Sequence, residues 1–182
     1  TRWSTGYPMV PEEAFLFGEK LRLTRSISSR LGAKSLVVRD QVENYGGRTS
    51  PFTILYHINA GFPLLDEESL LESTSIQIEP YDANSRAHQA EAGRFGAPER
   101  DFPGYGQDFL HTMAADAEGY AWAAMINPGL AGGLGLYLRF RTDTLPFLNE
   151  WKMLGEMDYV VGIEPANTKI VNRAVLRREN RL

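Results

Sequence analysis

The sequence contains no cysteine and no apolar run of membrane-spanning length. Without cysteine the chain forms neither disulfides nor thiolate metal sites, which is compatible with the cytoplasm, the location we predict. A transmembrane helix needs about 20 consecutive apolar residues, and no run approaches that length. Positive charge is also scarce, since 19 Lys and Arg against 23 Asp and Glu give a net charge of −4. We therefore predict neither a membrane partner nor a nucleic-acid partner.

Histidine is scarce as well, with three in the chain. His57, His88 and His111 do not have the spacing of metal ligands, so no metal site is predicted. The glycines at 132, 133 and 135 are interpreted as turn residues, because they do not connect a strand to a helix as a phosphate-binding loop does. The basic residues near the C-terminus are interpreted as a solvated strand or tail; they are Arg173, Arg177, Arg178 and Arg181.

Short strand-like segments separated by Gly and Pro make up most of the chain. The hydrophobic content of 43% is enough for a core. We predict an all-β, antiparallel β-sandwich, in a single domain over residues 1–182. The predicted strands cover residues 21–27, 35–44, 51–59, 73–79, 120–126, 135–141, 160–164 and 169–176, with 120–126 and 135–141 forming a hairpin. Residues 51–59 are almost uniformly apolar, which predicts a strand buried on both faces.

Two stretches lack strand periodicity. Residues 81–108 are rich in Pro and Gly, and loops longer than about 12–15 residues are usually functional or disordered. Both a substrate-covering loop and a mobile surface insertion fit this stretch. Residues 149–153 form a second irregular stretch, which places Trp151 beside Lys152 just before the Glu164 strand.

Two titratable side chains interrupt apolar, strand-forming runs. His57 lies within residues 55–66, and Glu164 lies within residues 159–167. Such a group either faces solvent or serves in a site, and a lone strand histidine is more often structural. An imidazole and a carboxylate in one cleft can move two protons, as general acid–base catalysis requires. We expect the two side chains to lie on strands of one sheet and to open onto the same face.

Several blocks of the sequence resemble a known superfamily. Residues 55–66, Leu145-Pro146 with Trp151-Lys152-Met153, and residues 162–167 with Arg173 are similar to the aldose 1-epimerase (galactose mutarotase-like) superfamily. The likeness is greatest to its less characterised bacterial branch, and it extends to residues 17–21 and 40–44. The resemblance implies a galactose mutarotase-like β-sandwich longer than this chain, so the chain would be its later part and would lack upstream strands.

The resemblance also implies an activity. His57 and Glu164 match the family's general acid and general base, which interconvert sugar anomers by opening and closing the hemiacetal ring. Such an isomerase needs no cofactor. The carboxylate takes the proton of the anomeric hydroxyl, and the imidazolium protonates the ring oxygen. The candidate substrate-binding residues are Asn59, Asp66, Trp151, Lys152, Asn167 and Arg173.

Alternatives for these binding residues stay open. Asp66 either fixes the loop after the His57 segment or touches substrate. Trp151 is either a core residue or a ring that stacks on a pyranose. Lys152 and Arg173 either pair with carboxylates or hold sugar hydroxyls or an acidic substituent.

Two other functional classes also remain. One is a non-catalytic carbohydrate-binding β-sandwich; the other is a lyase or hydrolase. Hydrolysis uses two carboxylates about 5–10 Å apart, and the sequence suggests no partner for Glu164. The expected ligand is a monosaccharide or modified sugar. Because unpaired strand edges attract other strands, we also expect a polypeptide partner, either the remainder of the same protein or a second copy.

Overall fold

The structure, a computed structural model, describes residues 12–14 and 18–180. The chain divides into two compact units, the first ending at Phe52 and the second beginning at Thr53. The prediction of a single domain over residues 1–182 stays a prediction.

The first unit contains one antiparallel sheet. Its strands are β1 (Glu12–Ala14), β2 (Lys20–Ser29) and β3 (Leu36–Asn44), in the order β1-β2-β3. The alternating residues 21–27 correctly predicted β2, and the strand predicted over residues 35–44 is β3. Leu23 pairs with Val42, and between the apolar pairs Arg25 donates two hydrogen bonds of 2.9 and 2.7 Å to Asp40.

The second unit contains two antiparallel sheets and two short helices. Its elements are β4 (Ile58–Gly61), β5 (Leu70–Ser73), β6 (Ser75–Pro80), α1 (Ala83–Ala87), β7 (Gln107–Met113), β8 (Tyr120–Asn127), β9 (Leu134–Arg141), β10 (Phe147–Leu154), β11 (Tyr159–Ala166) and α2 (Arg173–Arg178). The larger sheet has the order β4-β11-β10-β7-β6, and the smaller has the order β5-β8-β9. The predicted hairpin of residues 120–126 and 135–141 is the β8–β9 pair.

The two sheets pack face to face through one apolar core. The five-stranded sheet contributes Ala60, Met113, Leu148, Leu154, Val161 and Ile163, and the three-stranded sheet contributes Leu71, Ala121, Ala123, Met125 and Phe140. All of these side chains are buried. Side chains alternate between the two faces of a strand, so these residues fix which face of each sheet points inward. The prediction of an all-β antiparallel sandwich is confirmed.

Residues 51–59 do not form the predicted doubly buried strand. A regular strand begins only at Ile58, and Phe52 is 40% exposed. Tyr56 donates its backbone N–H to the carbonyl of Pro165 in β11. Proline has no N–H, so Pro165 cannot donate a hydrogen bond back to Tyr56. The hydrogen-bond ladder between β4 and β11 is therefore interrupted at this pair.

Residues 169–176 do not form a strand either. They lead into helix α2, and the side chain of Asn172 caps that helix by accepting a 3.0 Å hydrogen bond from the N–H of Val175. Asparagine is a preferred helix N-cap. The apolar residues Val175 and Leu176 therefore belong to a helical turn.

Residues 149–153 are not irregular; they are the middle of β10, at the centre of the five-stranded sheet. Because Asn149, Glu150 and Lys152 are polar, these residues did not show the sequence pattern of a strand. Residues 81–106, between β6 and β7, contain only α1 and a 3₁₀ turn at Gln89–Glu91. We call them the 81–106 segment.

Candidate active site

The five-stranded sheet has a second, polar face opposite the core. Leu148, Val161 and Ile163 point into the core, so their strand neighbours point the other way. We call this surface the site face. Its central residues are Asn59 of β4, Asp108 of β7, Asn149 and Trp151 of β10, and Gly162 and Glu164 of β11.

His57 and Glu164 meet on the site face, as expected from the sequence. Nε2 of His57 lies 2.9 Å from Oε1 of Glu164. His57 precedes β4 by one residue, so it is positioned by the end of a strand and not within one. The histidine side chain is 51% exposed, whereas the glutamate side chain is 3% exposed. The pair therefore joins a buried carboxylate to an imidazole that solutes can reach.

Asn149 connects Glu164 to a second carboxylate, that of Asp108. Register places Asn149 directly opposite Glu164. Its Nδ2 donates to Oε2 of Glu164 over 3.0 Å and to Oδ1 of Asp108 over 3.1 Å. Among the described residues, Oε1 of Glu164 is buried and accepts no hydrogen bond, although it lies close to Nε2 of His57. One oxygen of the glutamate is thus hydrogen-bonded to Asn149, and the other faces His57.

Burial raises the pKa of Glu164 above its usual value, and the nearby charge of Asp108 raises it further. The hydrogen bond from Asn149 and the charge of His57 act in the opposite direction. The pKa of Asp108 is raised as well, again mainly by burial, with a contribution from Asp82. Both carboxylates are therefore stronger bases than exposed ones.

Two glycines provide space around these side chains. A Cβ at Gly162 would lie 3.0 Å from Cδ of Glu164 and closer still to Oε1. A Cβ at Gly106 would lie 2.7 Å from Nε1 of Trp151, and φ of +76° at Gly106 also favours glycine. The Trp151 ring meets that of His57 edge to face, with 5.8 Å between centroids.

The start of the 81–106 segment is bonded to the sheet beside Asp108. Ser85 Oγ accepts a 2.9 Å hydrogen bond from the backbone N–H of Asp108 and donates one of 2.8 Å to Asp82. Asn84 donates to the carbonyl of Gly106. These bonds hold α1 against the beginning of β7. A substrate-covering role for the segment stays a prediction.

Lys152 does not reach the site face. It is fully buried on the core side, where Nζ donates to the carbonyls of Glu91 and Arg94 over 2.9 and 3.2 Å. Its ammonium also lies 4.9 Å from the ring centroid of Phe109. Burial lowers the pKa of Lys152. We infer that this lysine holds the 81–106 segment in place. The resemblance had instead suggested that Lys152 contacts substrate.

A second glutamate–histidine pair lies beside Lys152 on the core side. Glu150 accepts hydrogen bonds from the backbone N–H of Gly93 with both oxygens, at 2.9 and 3.0 Å. Its Oε2 lies 3.1 Å from Nε2 of His111, and Nδ1 of His111 lies 3.2 Å from Oγ of Ser75. Both side chains are almost completely buried. This cluster joins the sheet to the 81–106 segment.

The remaining predicted binding residues occupy different surroundings. Asn59 is exposed on the site face opposite Gly162. Asp66 accepts hydrogen bonds from Ser69 of its own loop and from Asn127 at the end of β8, and the bond from Asn127 is the main cause that lowers the pKa of Asp66. Oδ1 of Asn167 accepts a 2.8 Å bond from the N–H of Ile54.

Arg173 is exposed at the start of α2, beside a groove of about 220 Å³. The groove is also lined by Leu55 and Ala166. The structure therefore brings together His57, Glu164, Trp151 and Asn59, and it places Asp66, Lys152 and Asn167 in bonds with other parts of the second unit.

Sequence reasoning missed Asp108 and Asn149. Asp108 ends the Pro- and Gly-rich stretch that was predicted to be a loop, and Asn149 belongs to the stretch that was predicted to be irregular. The polarity of β10 does not alternate, because Glu150 and Lys152 lie on the same face as Leu148, so no periodic signal marked Asn149. The sequence suggested no carboxylate partner for Glu164, and the structure brings Asp108 near it, since Asn149 bonds both acids.

The described part of the chain contains no group of three potential His, Cys, Asp or Glu ligands that could hold a metal ion. Among the same residues no helix is long and apolar enough to cross a membrane.

Comparison with known proteins gives a family. Residues 9–182 match the model of the family described as Domain of unknown function (DUF4432). The chain belongs to this DUF4432 family. No curated protein matches it.

Among solved structures, the DUF4432 chain is similar to the crystal structure of a putative aldose 1-epimerase from Klebsiella pneumoniae subsp. pneumoniae. The TM-score is 0.89 at 24% sequence identity, over 96% of this chain and 45% of that one. This likeness shows that the two chains share a fold. The DUF4432 chain spans less than half the length of that structure.

Proposed function

We propose that this protein is an aldose 1-epimerase of the galactose mutarotase-like superfamily, an isomerase that interconverts the anomers of a monosaccharide or modified sugar. Glu164 acts as the general base and His57 as the general acid. The observation that carries the proposal is the pairing of a half-exposed imidazole with a buried carboxylate on the site face, where His57 Nε2 lies 2.9 Å from Glu164 Oε1. The shared fold with the Klebsiella pneumoniae structure supports it.

The closeness of the two groups suits ring opening. The anomeric hydroxyl and the ring oxygen are bonded to the same carbon of the sugar, so the base and the acid that serve them must also be close. Glu164 takes the hydroxyl proton while His57 protonates the ring oxygen as the bond from that oxygen to the anomeric carbon breaks. On closure, His57 takes a proton back and Glu164 returns one. Protons and charge balance over the cycle.

The state of each group supports its role. Oε1 of Glu164 has no hydrogen-bond partner among the described residues, so a lone pair is available. Burial raises the pKa of Glu164 and makes the carboxylate a better base. His57 is half exposed and can meet a sugar that arrives from solvent.

Two further residues complete the proposed sugar contacts. Trp151 lies beside His57 and offers an aromatic ring on which a pyranose can stack. Asn59 is exposed on the neighbouring strand, and its amide can bond sugar hydroxyls.

The test is the rate of anomer interconversion in the full-length protein, followed by NMR or polarimetry on freshly dissolved free aldoses. We expect His57→Asn and Glu164→Gln each to lower the rate by about 10²–10⁴-fold, the range for one acid–base group. Glu72→Gln, an exposed glutamate of the other sheet, is the matched control and should retain the wild-type rate.

The result that would overturn the assignment is an equal rate in the wild type and both variants. Sugar binding by a wild type that does not accelerate interconversion would favour a non-catalytic carbohydrate-binding protein. Calorimetric titration with the same aldoses measures that binding.

A further inference from the structure

We propose that Asn149 is a positioning residue, which orients the Glu164 carboxylate so that one oxygen faces His57 and the incoming substrate. This inference rests on the proposed role of Glu164 as the base. Asn149 touches no reacting atom in this scheme; it acts through the carboxylate.

The position of Asn149 follows from the register of the central strands. β10 lies between β7 and β11, and the Asn149 side chain points to the site face between Asp108 and Glu164. The side chain of Asn149 is 2% exposed, so water competes little for its hydrogen bonds. A strand at the sheet centre is also a rigid support for such a contact.

The chemistry of the two partners fixes the orientation of the amide. Carboxylates only accept hydrogen bonds, so the nitrogen of Asn149 must face both of them. Nδ2 has two hydrogens, and it donates one to Oε2 of Glu164 and the other to Oδ1 of Asp108. No other uncharged side chain of this size offers two donors from a single atom.

The consequence concerns the other oxygen of Glu164. With Oε2 held by Asn149, the carboxylate cannot rotate freely, and Oε1 stays 2.9 Å from His57 Nε2. The absence of a side chain at Gly162 leaves room for this orientation. Asn149 thus determines which oxygen is the base.

The titratable groups around Glu164 are few. His57 faces it from the segment before β4, Asp108 faces it from β7, and Asp82 lies behind Asp108 at the cap of α1. Glu79 of the edge strand β6 lies in line with Asn149 and Glu164 across the sheet, and it accepts a hydrogen bond from Lys169. Asn149 is the neutral member between two acids, so an acid in its place would put three carboxylates side by side.

The experiment uses Asn149→Asp and Asn149→Ala in the full-length protein. Asn149→Asp keeps the shape and removes both donors. We expect kcat to fall by about 100-fold, as for a misplaced catalytic group, with KM little changed. The pH below which activity declines should move upward, because loss of the Asn149 hydrogen bond and an added negative charge both raise the pKa of Glu164. Asn172→Asp, which adds the same charge at the α2 cap where either residue serves, should leave kcat and this pH unchanged.

A readout that needs no activity separates this inference from the proposed function. The titration of the Glu164 side-chain carboxyl can be followed by ¹³C NMR and assigned with Glu164→Gln. Its midpoint should rise in Asn149→Asp and in Asn149→Ala. If the wild type interconverts no aldose but this midpoint moves, the function fails and the positioning of the carboxylate stands. If folded variants keep the wild-type midpoint, or lose thermal stability alone, the inference is overturned.

Discussion

The five-stranded sheet carries one glutamate–histidine pair on each face, and the two pairs differ in almost every respect but distance. Glu164 and His57 are 2.9 Å apart on the site face, and Glu150 and His111 are 3.1 Å apart on the core face. His57 is 51% exposed, whereas His111 is 3% exposed. Proximity of an imidazole and a carboxylate therefore does not identify a reactive site.

Hydrogen bonding separates the two pairs more clearly than burial does. Both oxygens of Glu150 accept bonds from Gly93, and one of them also contacts His111. Glu164 has one bonded oxygen and one buried oxygen without a partner among the described residues. Buried polar atoms are nearly always bonded, so an exception calls for an explanation. The proposed role of Glu164 as a base accounts for this exception, since a base needs an oxygen that can accept a proton from substrate.

The core-face pair should matter most for stability. Replacing Glu150 by Ala removes the negative charge that acts most strongly on buried Lys152 and leaves the N–H of Gly93 without an acceptor. Breaking a buried charged cluster in this way costs about 3–5 kcal/mol of unfolding free energy. Chemical denaturation measures the loss. Glu150→Gln, which retains an acceptor, should lose less; equal losses in the two variants would contradict the role given to the hydrogen bonds.

The space above Gly162 should matter for both stability and activity. In Gly162→Ala the new methyl group collides with the Glu164 carboxylate and moves Oε1 away from His57. Overpacking of this kind costs about 1–3 kcal/mol, and the rate of anomer interconversion should fall with it. Gly61→Ala is the matched control, because its Cβ would come no closer than 3.4 Å, to the carbonyl of Tyr159 in β11. Similar effects of the two substitutions would show that the collision is unimportant.

The sequence predicts the regular parts of this fold where alternation or turn residues mark a strand. Period two is visible in residues 21–27 of β2, and the turn-rich residues 127–129 mark the connection between β8 and β9. The convergence of His57 and Glu164 was also expected, because both match one site of the superfamily that the sequence resembles. The residues of β10 gave no such signal. Glu150 and Lys152 point toward the core, where their bonds to the 81–106 segment replace apolar packing.

The partners of Glu164 were hidden for a related reason. Asp108 and Asn149 are far apart in sequence and meet only through the pairing of β7 with β10. A strand whose inward residues are charged looks irregular until the acceptors and donors from another segment are known. Helix α2 shows the same limit on a smaller scale, because one capping residue, Asn172, outweighed the apolar pattern that had indicated a strand.

The contribution of Glu164 to stability depends on pH. The pKa of Glu164 is raised in the folded protein, so this group favours folding at pH below its usual value of 4.5, and that contribution is lost as pH rises through the higher folded pKa. Glu164→Gln does not ionise. Its free energy of unfolding relative to wild type should therefore increase as pH rises across this window, while its activity is low. Denaturation at a series of pH values checks the trend; a variant that becomes relatively less stable with rising pH would contradict it.

The smallest effect is expected at Lys169. This lysine follows β11 and forms a 2.7 Å ion pair with Glu79 of β6, but the two side chains are 29% and 41% exposed. Water solvates both partners, so the pair contributes about 0–1 kcal/mol. Lys169→Ala should lower the unfolding free energy by no more than this amount, and the loss should shrink further at high salt because exposed charges are screened. Denaturation at low and high salt measures both. A larger loss that salt does not reduce would mean that Lys169 behaves like the buried Lys152. Exposure would then not distinguish the contributions of the two lysines to stability.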